Sequence, residues 1–236
     1  MLLEALPYIR RFAGKTIVIT GAASGIGAAL ARNLHQKGCQ LALADWDAEG
    51  LSRIGTELNA STFVLDVRKY DQVEAWAMQV ENTLGSAELL INNAGVTVLG
   101  TFAEHSLQDW ERVMDVNFWG VIYGCRAFLP QLKKAREARI VNLSSMFGLV
   151  GIPGQTSYCA SKYAVRGFSE ALQEELRFST VGVTVVHPGG IRTRIIEQGK
   201  LAQTAPQDNT QRRLSDFFTA QTLPPEKAAE RIEQTR

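Results

Sequence analysis

The chain has 236 residues, 45% hydrophobic and 21% charged, with a net charge of +1. That balance belongs to a soluble globular protein; the scattered basic residues leave no footprint for nucleic acid, and no apolar run is long enough for an integral membrane segment. Three cysteines (Cys39, Cys125, Cys159) and three histidines (His35, His105, His187) stand too far apart for metal-ligand spacing or a disulfide framework, so no metal is expected and a reducing, cytoplasmic setting is.

The first stretch, residues 1–11, reads as an N-terminal extension. Glu4 and Pro7 interrupt it, so it is not a signal peptide, and Leu2, Leu3, Leu6 and Ile9 suit packing onto a partner. From residue 12 onward, short apolar runs alternate with helical patterns. Strands are predicted at 15–20, 39–44, 61–66, 87–92, 138–144 and 181–187, rich in Val, Ile and Leu, as strands covered on both faces are. Helices are predicted at 25–37, which ends at Gly38, at 47–58, where Leu51, Ile54 and Leu58 share a face, and at 70–84, 109–134 and 157–178. This alternation gives an α/β fold with a doubly wound, Rossmann-like parallel sheet in one domain over 12–236. Residues 189–223 break the rhythm and read as a substrate lid after a strand's carboxyl end. "PPEKAAERIEQTR" then starts a helix at its prolines.

Two places along this pattern suggest chemistry. Directly after the first strand comes "TGAASGIG", residues 20–27. Gly21 permits a tight turn, Gly25 a close approach to phosphate and Gly27 close helix–strand packing, with Ser24 and Ile26 between them. The following helix offers free N–H groups and its positive dipole end to a diphosphate. The spacing G-x-x-x-G-x-G departs from the usual dinucleotide fingerprint, so the strand-turn-helix context carries the inference. The second strand ends at Asp45, whose carboxylate either accepts hydrogen bonds from an adenosine ribose or caps the next helix. A carboxylate there repels a 2′-phosphate, and no neighbouring Arg or Lys offsets it, which favours NAD over NADP. Trp46, beside it, is placed near the adenine or simply in a loop. The second place is "TSYCASKYAV", where Tyr158 and Lys162 stand one helical turn apart. A fixed ammonium makes a phenol easier to ionise, but on its own such a pair also fits a packed tyrosine and a solvated lysine.

Taken in order, these motifs resemble the short-chain dehydrogenase/reductase family in its single-domain form, from about residue 12 to about residue 193. "TGAASGIG" resembles the family's phosphate turn, Asp66-Val67 its adenine-pocket dipeptide, and "NNAG" (92–95, with Asn93, Ala94 and Gly95) its signature after the fourth strand. Asn117 in "DVNFWG" matches the asparagine of the catalytic tetrad. "VNLSS" leads to Ser145, thirteen residues before Tyr158, which is the family spacing. "HPGGIRT" resembles the segment that holds the nicotinamide, with Pro188, Gly189, Ile191 and Thr193.

The resemblance implies that Tyr158 exchanges a proton with an alcohol or ketone, its acidity raised by Lys162 and by the nicotinamide. It further implies that Lys162 also holds the nicotinamide ribose, that Ser145 hydrogen-bonds the substrate oxygen, and that Asn117 holds a water linking Lys162 to solvent. The expected activity is NAD-dependent hydride transfer to or from an apolar secondary alcohol or ketone, with pocket walls at Val96, Met146, Phe147, Gly190 and Ile191. The rival readings are a non-catalytic dinucleotide-sensing interaction protein, which has no need of Ser145, Tyr158 and Lys162, and an isomerase or dehydratase on the same scaffold. A homodimer through 109–134 and 157–178 is implied, with a tetramer left open. The family continues beyond its last helix into an edge strand, which is expected to be missing from a chain stopping at Arg236.

Overall fold

The structure is a computed structural model that describes residues 12–189, 200–202 and 224–233. Its core is a six-stranded, all-parallel sheet of β1 (Thr16–Thr20), β2 (Gln40–Asp45), β3 (Ser61–Val64), β4 (Leu89–Asn92), β6 (Ala138–Leu143) and β7 (Val181–Val186) in the order β3-β2-β1-β4-β6-β7. The order reverses between β1 and β4, which opens a crevice at their carboxyl ends, where ligands of open α/β sheets bind.

Successive side chains of a strand point to opposite faces, and each face has its own helices. Ile17, Ile19, Leu41, Leu43, Leu89, Ile91, Val141 and Leu143 are buried on one side with α1 (Gly25–Gln36), α2 (Ala48–Leu58) and α7 (Pro225–Glu233). Val18, Ala42, Ala44, Leu90, Ile140 and Val183 are buried on the other with α3 (Tyr70–Leu84), α5 (Gly120–Leu132) and α6 (Thr156–Glu175). The expected doubly wound sheet is what forms. The predicted face Leu51, Ile54 and Leu58 of α2 is buried, and α1 stops at Gly38, which takes φ +76° and donates to the His35 carbonyl.

Three features differ from the sequence expectation. The third strand ends at Val64, so Asp66 lies in the loop after it; β3 is an edge strand, and only one of its faces is covered. The helix expected over 109–134 begins earlier, with α4 (Leu107–Met114) capped by a reciprocal Ser106–Asp109 pair. It is then broken by a π-helical turn, Asp115–Trp119, in which Gly120 N–H reaches back to the Asp115 carbonyl. Finally, β5 (Val98–Leu99) pairs in parallel with β8 (Lys200–Leu201), and Ala202 N–H donates to the Leu99 carbonyl at 2.7 Å. That pairing ties a point within the expected lid to the loop after β4. The N-terminal extension and the rest of the lid lie outside the described residues.

Candidate active site

The glycine turn is shaped by contacts that exclude any side chain. A Cβ on Gly21, at φ +67°, would stand 2.8 Å from the Ala94 Cα, and one on Gly27 would overlap the Gly21 carbonyl oxygen. The turn is held from the neighbouring strand end: Asn93 Nδ2 donates to the Thr20 and Gly21 carbonyls, and the Asn93 and Ala94 amides both donate to Thr20 Oγ1. Asn93 therefore acts on the turn. Ser24 is the extended residue before α1 and its side chain makes no capping bond; the first turn of α1 has no acidic residue. The positive end of this helix thus meets no competing carboxylate of its own.

Asp45 is 8% exposed at the end of β2. Its Oδ2 accepts from the Ala23 amide at 2.9 Å and its Oδ1 from the Asp47 amide at 3.0 Å. Burial pushes its carboxyl pKa up, and these amides pull against the rise. The capping role open to Asp45 from sequence falls instead to Asp47, whose side chain accepts from the Gly50 amide ahead of α2. Two accepted bonds leave the Asp45 carboxylate with spare lone pairs for a diol. Trp46 is exposed. Asp66, which follows β3, is held in a two-pronged pair by Arg68, which keeps its carboxyl below its ordinary pKa. Val67 is buried against Gly120.

The four residues expected to react sit where β4, β6, α6 and the π-helical turn converge. Ser145 follows β6 in extended conformation, and its Oγ accepts from the Phe147 amide. The Ser145 side chain also favours ionisation of the nearby Tyr158 phenol, but burial outweighs this and pushes Tyr158 up to about 12. The same burial pushes Lys162 down to about 8. Lys162 Nζ donates to the Leu143 carbonyl at 2.8 Å and lies 5.7 Å from the centre of the Tyr158 ring. The acidification of Tyr158 expected from Lys162 is therefore not realised in the protein alone, where loss of solvation is the larger effect. Ser144 Oγ fastens this part of α6 to β6 by donating to the Lys162 carbonyl.

Asn117 is fully buried in the π-helical turn. Its Oδ1 accepts from the Val96 amide, and its Nδ2 donates to the Val96 carbonyl and to Ser161 Oγ. A side chain so engaged has no N–H left for a water, so the water implied by the resemblance would have to donate to an Asn117 oxygen, of side chain or backbone. The space between Asn117 and Lys162 is kept open by Gly95, where a Cβ would stand 3.4 Å from Asn117 Oδ1 and 3.6 Å from Lys162 Nζ. Pro188 is brought to the same place: its carbonyl accepts from the Met146 amide, while His187 Nδ1 lies 3.1 Å from the Ser145 carbonyl. Gly189 follows beside Met146, and Ile191 and Thr193 are outside the described residues. Sequence reasoning missed Ser144 and Ser161. Ser161 had one legible signal: a hydroxyl set inside a helix between Tyr158 and Lys162.

Comparison with known proteins agrees with this geometry. A family model for short chain dehydrogenases matches residues 15–203. The chain is 41% identical over 232 residues to SadH of Mycobacterium tuberculosis, an oxidoreductase by name, covering 94% of this chain and 82% of that one. It is 35% identical over 185 residues to a 3-alpha-(or 20-beta)-hydroxysteroid dehydrogenase of the same species, covering 78% of this chain and 71% of that one. Among solved structures, a short chain dehydrogenase/reductase from Burkholderia phymatum in complex with NAD superposes with a TM-score of 0.85 at 33% identity, covering 94% of this chain and 85% of that one. The glycine turn and the cluster of Ser145, Tyr158 and Lys162 thus stand on a sheet shared with such enzymes, and the chain belongs to the short-chain dehydrogenase/reductase family of oxidoreductases.

Proposed function

We propose that this protein moves a hydride between NAD(H) and an apolar secondary alcohol or ketone. The observation that carries the reading is Ser145 set beside the Tyr158 phenol and next to a buried Lys162, at space that Gly95 leaves open. The open crevice and the uncapped end of α1 suit a dinucleotide, and the bound cofactor would supply the hydride acceptor or donor. The protein's residues supply the rest. Ser145 Oγ hydrogen-bonds the substrate oxygen as charge develops on it. Tyr158 Oη takes the hydroxyl proton in oxidation and returns it in reduction. Lys162 offsets the phenolate charge and holds the nicotinamide ribose, a positioning role.

Asp45 supports NAD, because its carboxylate stands where a 2′-phosphate would be repelled. An apolar substrate is supported by Met146, Leu149 and Val150, all exposed on the turn after Ser145, and by Phe147, whose ring meets Tyr158 edge-on at 6.1 Å. The hydroxysteroid named for one relative belongs to the same apolar class. A homodimer through α5 and α6 is supported by the exposed rings of Trp119, just before α5, and Tyr163, on α6.

The test is titration with NADH and NADPH, followed by turnover with apolar alcohols. NADH is expected to bind at least about tenfold tighter, and Asp45→Ala to narrow that gap. Tyr158→Phe is expected to cut turnover by about a thousandfold or more while NADH binding persists. Tighter NADPH binding would overturn the NAD assignment. Unchanged turnover in Tyr158→Phe would overturn the mechanism, and cofactor binding without turnover on any alcohol or ketone would favour the sensing protein.

A further inference from the structure

We propose that Ser161 is a positioning residue of this site, fixing Tyr158 and Lys162 relative to the turn that carries Asn117; this rests on the function proposed above. Ser161 is fully buried in α6, three residues after Tyr158 and one before Lys162. Its hydroxyl donates to the Tyr158 carbonyl at 2.7 Å and accepts from Asn117 Nδ2 at 3.0 Å. A serine hydroxyl has a single proton, so the direction of both bonds is fixed. Asn117 is equally determined: Oδ1 faces the Val96 N–H, while Nδ2 faces the Val96 carbonyl and Ser161. Turning its amide over would set donor against donor and acceptor against acceptor.

Three segments that are separate in sequence therefore close on the Asn117–Ser161 pair. They are the helix that presents Tyr158 and Lys162, the π-helical turn at 115–119, and the backbone at Val96, next to Gly95. Alanine would suit the middle of a helix better than serine does, so the hydroxyl is present against local preference. Without it, one Asn117 N–H is left buried and unpaired, and the tie between α6 and the turn is lost. Ser157 is the internal comparison: it lies one turn earlier on the same helix, is also fully buried, and its hydroxyl has no partner among the described residues. The two serines differ in their bonds and share their burial.

The experiment compares Ser161→Ala and Ser157→Ala in the full chain. Ser161→Ala is expected to lower kcat by about tenfold, to move the pH midpoint of kcat, and to leave the NADH Kd within about threefold. Ser157→Ala is expected to stay within about twofold of the parent on all three. Equal losses in the two variants, or an unmoved pH midpoint in Ser161→Ala, would overturn the proposal. If Ser161→Ala does not fold, Ser161→Cys, close in size but a weak hydrogen bonder, is expected to show the same changes to a smaller degree, and parent-like kinetics in it would overturn the proposal. A direct reading of Tyr158 separates this from failure of the proposed activity. Its ionisation is followed by tyrosinate absorbance with NAD present, as the difference between each protein and its Tyr158→Phe counterpart. A shifted midpoint in Ser161→Ala supports the positioning role even where no alcohol is turned over, and an unshifted one overturns it.

Discussion

At the scale of single residues, the site is costly to the fold that holds it. Lys162 is 3% exposed and its pKa falls from 10.5 to about 8, so below pH 8 the folded state carries a charge it solvates poorly, at roughly 3 kcal/mol. Between about pH 8 and 10.5 the unfolded chain binds more protons at this residue than the folded one, so the penalty fades as pH rises. Tyr158, raised from 10 to about 12, acts in a different window and with the opposite sign: from pH 10 to 12 only the unfolded chain ionises, and stability falls. Lys162→Met, which removes the charge and keeps the length, is expected to stabilise the cofactor-free protein by about 1–3 kcal/mol at pH 7, with the gain shrinking towards pH 10. Thermal denaturation across that pH range checks this. A variant less stable than the parent at pH 7 would mean that the bond to the Leu143 carbonyl outweighs the desolvation.

At the scale of elements, the glycine turn shows how a helix and a strand are brought within contact distance. A Cβ on Gly27 would overlap the Gly21 carbonyl and stand 2.6 Å from Asn93 Nδ2, the group that holds the turn. Gly27→Ala must therefore push α1 away from β1 or displace Asn93. It is expected to destabilise the chain by about 1–3 kcal/mol and to weaken NADH binding by more than tenfold, read by denaturant unfolding and fluorescence titration. Unchanged affinity would place the dinucleotide elsewhere. The π-helical turn is the second such device. Its one extra residue sets Asn117 inward against Val96 and Ser161 before α5 continues along the sheet.

At the scale of the molecule, the crevice where the strand order reverses gathers contributions from β1, β2, β4, β6, β7 and α6, so the site depends on the whole sheet. The proposed dimer belongs to this scale as well. Trp119 is 45% exposed with its ring 5.8 Å from that of Tyr123, and Tyr163 is 43% exposed on α6. Aromatic groups of this kind are enriched at the centres of protein interfaces. Trp119→Glu is expected to convert dimer to monomer at micromolar concentration, as read by sedimentation velocity, with the cofactor site intact. A parent that sediments as a monomer would remove the proposal.

The apolar runs of the strands, the glycine turn, Asp45 at the end of β2 and the Tyr158–Lys162 spacing were legible from the sequence as local patterns, whereas Ser145 and Asn117 were picked out only by the family resemblance. Buried parallel strands must be apolar, a tight turn against a helix needs glycine, and a helical turn sets residues four apart side by side. What the tertiary structure decided was long-range. No breaker residue lies within the π-helical turn Asp115–Trp119, and the β5–β8 pairing joins segments about a hundred residues apart. Asn117 and Ser161 are 44 residues apart and meet only when α6 packs on the turn. The ionisation of Tyr158 and Lys162 was settled the same way. Their spacing suggested an easily ionised phenol, but Lys162 is buried and Tyr158 half-buried in the fold, and loss of water is the largest influence on each.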